Sequence, residues 1–124
     1  MWRRAAAGDG MEFFKRLKWR VLWSWAGLVD TWQQEHSFRS WVWANLVSAG
    51  LALILLEGGE RALILALGVL ILAAELLNTA IERTVDLVTK EQSDLARQAK
   101  DAGSAGVMVA AIAAGLAWVF VLLP

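Results

Sequence analysis

The charged residues of this chain fall ahead of and between three apolar stretches. Residues 40–56, SWVWANLVSAGLALILL, lie uncharged between Arg39 and Glu57. At about 1.5 Å of rise per residue, a helix there nearly crosses a hydrocarbon core of about 30 Å. Residues 103–123, GSAGVMVAAIAAGLAWVFVLL, are also free of charge and long enough to cross. The middle stretch is tighter, because Ala62–Ala74 covers only about 20 Å. A spanning helix that starts at Arg61 must therefore continue through Glu75 and Asn78 to around Ile81. The pattern predicts an all-α membrane protein with spans at about 39–56, 61–86 and 101–123, and it places Glu75 inside the bilayer. Upstream, Phe14, Leu17, Val21, Trp25, Leu28 and Trp32 recur at spacings of three and four, while Lys15, Arg16, Lys18 and Arg20 lie largely off that row. That is the signature of an amphipathic helix at about 12–34, expected to lie flat on the inner leaflet with its lysines toward anionic lipid.

Charge location supplies the orientation. Seven basic residues precede the first span, only Arg61 lies between spans one and two, and Arg83, Lys90, Arg97 and Lys100 lie between spans two and three. By the excess of Lys and Arg on cytoplasmic loops, the N-terminus and the second connection are expected in the cytoplasm and the C-terminus outside it. Gly58 and Gly59 then allow the helix reversal of a tight extracytoplasmic turn. Composition agrees with a membrane protein: 58% of the residues are apolar and there is one proline. The twelve basic residues offset the twelve acidic ones, and no nucleic-acid-binding module is present, so no nucleic-acid partner is expected. The absence of cysteine excludes disulfides and thiolate chemistry, and the single His36 cannot build a histidine cluster. No removable signal peptide is expected from residues 1–10. The small-residue spacing of span three suits close helix packing.

The candidate chemistry lies in ELLNTAIERTVDL, residues 75–87. At about 100° per residue, Glu75, Asn78, Glu82 and Asp86 share one narrow stripe, which is expected to face away from lipid. Buried polar residues also fix register in small membrane bundles. Three carboxylates on one stripe are harder to explain in that way, since neither neighbouring span contains a basic residue. Oxygen ligands of this kind suit Mg²⁺, which binds through one or two carboxylates and substrate phosphates, and Lys100 is placed to meet a phosphate as a point charge. Glu35 is a further carboxylate at the same boundary. An acidic residue such as Asp101 ahead of a span also complements a helix dipole.

ELLNTAIERTVDL, followed by ARQAKDAGSAGV, resembles the small integral-membrane diacylglycerol kinases of proteobacteria, with their pattern E-[IL]-[LV]-N-[ST]-A-I-E-x-x-V-D and a later A-K-D-x-[GA]-S-A. The likeness runs from about Phe14 to the C-terminus, with residues 1–13 as an extension. It implies a homotrimer of three-span subunits in the bacterial inner membrane, with active sites shared between neighbouring chains, moving the γ-phosphate of MgATP to the primary hydroxyl of diacylglycerol. The absence of G-x-x-x-x-G-K-[ST], H-R-D and D-F-G elements accords with a fold unrelated to soluble kinases. Carried over by position, Glu75 is the general base, Glu82 and Glu35 hold the metal ion, Asn78 orients substrate or base, and Lys100 and Asp101 organise the ATP phosphates. Arg16, Ser24 and Trp25 are the resemblance's candidates for nucleotide contact on the surface helix. Where the family commonly has an arginine two places before the Lys-Asp pair, this chain has Gln98, with Arg97 one step earlier. Undecaprenol kinases share the Glu, Asn, Glu and Lys-Asp positions, whereas AKDAGSAGV is similar to the diacylglycerol type. A silent membrane subunit, whose polar stripe only fixes packing, is the alternative from another class.

Overall fold

Backbone polar groups in an apolar surrounding must pair within their own segment, and helices achieve this. The computed structural model describes residues 10–124 as four helices: α1 (Gly10–Gln34), α2 (His36–Leu55), α3 (Gly58–Val88) and α4 (Asp94–Leu122). Most of the expected N-terminal extension, residues 1–9, lies outside the described residues. The last three helices are each long and apolar enough to cross a membrane.

The breaks between helices are short, and each is held by side chains that take up terminal backbone groups. Glu35 alone, in an extended conformation, separates α1 from α2. Arg39 Nη1 donates to Trp32 O at 2.6 Å and Gln33 O at 3.1 Å, satisfying the last carbonyls of α1. Leu56 and Glu57 separate α2 from α3, and Arg61 reaches back to Leu56 O at 2.7 Å and Leu53 O at 3.2 Å. Gly58 makes the reversal with φ +53°, a conformation that costs glycine little. Gly59, expected in the turn, is instead in the first turn of α3.

The third connection is only residues 89–93, because α4 begins seven positions before the span expected from 101. Ser93 caps it by accepting the Ala96 N–H at 3.2 Å, and LARQAK is rich in strong helix formers. The charged segment that the sequence places between spans is therefore mostly the first two turns of a helix.

α3 packs between α2 and α4. Ala52, Leu56 and Ile64 are buried together, with Trp118 and Val121 of α4 against them. Trp118 Nε1 donates to Ser48 Oγ at 2.9 Å, tying α4 to α2. Two glycines let the helices approach closely. A Cβ at Gly68 would strike the Asn45 amide, and one at Gly103 would come within 2.5 Å of Asn78 Oδ1. Along the apolar stretches of the last three helices the outward side chains are apolar: Ile54, Val69 and Phe120 are all exposed.

Candidate active site

A polar side chain on an apolar helix has to be covered, and α3 covers its stripe against its neighbours. Glu75, Asn78 and Glu82, with Ser37 and Trp41 of α2 and Ser104, Val107 and Met108 of α4, line an open groove of about 460 Å³. The i, i+3 and i+7 spacing that placed the three polar residues on one face thus brings them together.

Glu75 lies deepest, with 4% of its surface exposed. Ser37 Oγ donates a hydrogen bond to its Oε1, and no cation pairs with it among the described residues. One turn on, Asn78 Nδ2 donates to Glu82 Oε1 at 3.3 Å. Asn78 Oδ1 faces Gly103, buried and without a hydrogen-bond partner. The amide is therefore gripped by the close approach of α4 and directs Glu82.

This grip is testable. Gly103→Ala is expected to lower unfolding stability by about 1–3 kcal/mol through overpacking and to reduce activity by displacing Asn78. Gly115→Ala, where the added Cβ meets open space, should do neither. Denaturation of both variants in the same detergent checks the difference.

The remaining candidates are distributed around the stripe. Asp86, at its end, accepts from Lys100 Nζ of α4 at 2.6 Å. The stripe therefore does have a basic neighbour, which the early start of α4 delivers. Asp101 accepts from Arg97 Nη1 at 2.9 Å on the exposed flank of α4, and Arg97 also lies 4.0 Å from Asp94. Glu35 sits at the joint of α1 and α2 and pairs with Arg83 of α3 at 3.2 Å. Arg16, Ser24 and Trp25 are exposed on α1 and do not line the groove of their own chain.

Ser37, Trp41 and Ser104 escaped the reading of the sequence. Ser104 stands in a run of small residues that signalled only packing. Ser37 falls just after the break expected between the surface helix and span one, and periodicity along one helix does not tell which residue of another helix it meets.

Among the described residues, no group of three or more His, Asp or Glu side chains converges on one point. Glu35 and Glu82 each use Oε1 in the contacts above and keep Oε2 outside any hydrogen bond among the described residues. Carboxylate oxygens are the donor type that a hard divalent cation takes, completing its shell with phosphate and water; Glu82 lines the groove, and Glu35 stands outside its lining at the α1–α2 joint.

A family model described as prokaryotic diacylglycerol kinase matches residues 22–122. The chain belongs to that family. The diacylglycerol kinase of Pseudomonas aeruginosa is 40% identical over 115 residues, covering 92% of this chain and 94% of the relative. That of Escherichia coli K12 is 36% identical over 110 residues, covering 88% and 90%. The undecaprenol kinase of Bacillus subtilis is 48% identical, but over 50 residues, which is 40% of this chain and 41% of that protein. The family match spans every candidate except Arg16, which lies ahead of it.

Proposed function

We propose that this protein is an ATP-dependent lipid kinase that transfers the γ-phosphate of MgATP to the primary hydroxyl of diacylglycerol, giving phosphatidic acid and ADP. The observation that carries this reading is Glu75: a buried carboxylate, held by Ser37, at the base of an open groove on an apolar helix.

A lipid hydroxyl that enters the groove from the bilayer meets Glu75 before Glu82, while a water-borne nucleotide meets Glu82 first. Phosphoryl transfer asks for positioning and charge neutralisation more than covalent chemistry. Glu75 takes the proton as the hydroxyl oxygen attacks the γ-phosphorus and the bond to ADP breaks. Asn78 keeps Glu82 turned toward the groove mouth. Glu82 and Glu35 are the proposed ligands of Mg²⁺, which, when bound, neutralises charge on the phosphate oxygens. Lys100 and Asp101 orient the phosphates, Lys100 by exchanging Asp86 for a phosphate oxygen.

The proposed assembly is a homotrimer in the bacterial inner membrane, with the N-terminus cytoplasmic and α1 lying on the inner leaflet. Two observations support shared sites: the groove is open on one side, and Arg16, Ser24 and Trp25 stand away from the groove of their own chain. A second copy can bring its α1 to the first copy's groove. Mixed trimers of Glu75→Gln subunits with subunits carrying both Arg16→Ala and Trp25→Ala are accordingly expected to recover part of the activity that each variant lacks alone, because an intact groove can then meet an intact α1 from its neighbour. Failure to recover any in verified mixed trimers would count against sharing.

The decisive assay is transfer of labelled γ-phosphate from MgATP to dioleoylglycerol or undecaprenol in micelles. Label on dioleoylglycerol is expected. Label on undecaprenol alone would keep the chemistry and change the acceptor, the reading favoured by the partial undecaprenol kinase match. Label on neither, from folded protein, would remove the kinase reading.

A further inference from the structure

Arg83 is the one cation that links α3 to the α1–α2 joint among the described ion pairs. It follows Glu82 directly, so its side chain leaves the helix about 100° round from the groove face. Its Nη2 lies 3.2 Å from Glu35 Oε1. The two carboxylates read as ligands of the divalent ion are thus treated differently: Glu82 meets a neutral amide, while Glu35 already meets a positive charge.

The bond is built to be exchanged. It is a single contact rather than a two-pronged fork, which for arginine is the stronger geometry. Both side chains are partly open to solvent, at 43% for Arg83 and 29% for Glu35, where ion pairs are weak and screened. The Glu35 backbone is fixed independently, since its N–H donates to Thr31 O at 2.9 Å and its carbonyl accepts from Arg39 N at 3.4 Å. A change of partner at the carboxylate therefore needs rotation of a side chain and no movement of a helix.

We propose that Arg83 is a resident counter-charge for Glu35, holding that carboxylate through Oε1, so that an ion taking Glu35 binds against a positive charge already seated there and Arg83 sets how tightly the site takes its ion. The proposal rests on Glu35 being an ion ligand. Arg83 opposes the ion in two ways with the same sign: through Oε1 it holds the carboxylate in the direction of α3 and draws on its charge, and as a like charge it repels the cation nearby. Arg83 is a positioning residue, and its removal should tighten ion binding.

The test is Mn²⁺ binding to the full-length, nucleotide-free protein in micelles, followed by the loss of the free-ion paramagnetic resonance signal. Arg83→Gln is expected to lower the Kd for Mn²⁺ up to about fivefold, the scale of an exposed pair, and Arg83→Ala should do the same should the glutamine variant fold poorly. Arg83→Lys, which keeps the charge, should stay near the parent. Glu35→Gln should raise the Kd at least tenfold, and adding Arg83→Gln to it should then have no further effect. A Kd that is unchanged or raised in Arg83→Gln and Arg83→Ala, while Glu35→Gln still weakens binding, overturns the counter-charge and leaves the ligand assignment standing. A Kd indifferent to Glu35→Gln overturns both.

Discussion

Glu75→Gln is expected to reduce phosphoryl transfer by about 10²–10⁴-fold, the scale of a positioned general base, without unfolding the protein. Glutamine has nearly the shape of glutamate, and its carbonyl oxygen can still accept from Ser37, so the groove keeps its form. What is lost is the capacity to take up a proton. The reaction should slow in kcat, with the KM for MgATP little changed, because the nucleotide is assigned to the other end of the stripe. Tryptophan fluorescence and oligomer size should match the parent. Most of the activity surviving in such a protein would remove Glu75 from the base role and leave the buried carboxylate as a packing device.

Glu82→Gln is expected to act on the other substrate. Losing one of two proposed carboxylate ligands should weaken ion binding at least as much as losing an outer-shell partner does, by about 10–100-fold or more. The effect should be read as a raised Mg²⁺ requirement and a raised KM for MgATP, partly recovered at high Mg²⁺. Asn78 remains able to donate to the new amide's oxygen, so a purely structural role for Glu82 predicts little change. Titration of activity against Mg²⁺ at fixed ATP separates the two. A pure kcat loss at every Mg²⁺ concentration would transfer Glu82 from ion binding to the chemical step.

The spans and the polar stripe were legible in the sequence for one physical reason. Lipid removes the alternatives for the backbone, so length and charge fix the helices, and helical periodicity then fixes which residues share a face. Glu75, Asn78 and Glu82 belong to one helix, and their grouping needed no tertiary information. Ser37 meets Glu75, and Glu35 meets Arg83, across different elements, which periodicity does not encode. The helical lead of α4 ahead of the expected span has a related reason: residues 94–100 are too polar for a span, yet a serine cap and helix formers make them helical all the same. Lys100 reaches Asp86 as a result, and the stripe is less isolated in charge than the spans alone implied.

The chain keeps little of its apolar matter to itself: among the described residues, six hydrophobic ones, Phe38, Ala52, Leu56, Ile64, Ile71 and Val107, are buried within it. A water-soluble domain carries its solvent-averse interior wherever it goes, whereas this fold leaves most of that surface for its surroundings to cover. Its unfolding free energy is therefore a joint property of the protein and the amphiphile around it, and changes with micelle thickness and concentration as a ligand-linked equilibrium does. Two variants compared in one detergent yield a difference that belongs to the sequence. The same variant in two detergents yields a difference that belongs to the solvent.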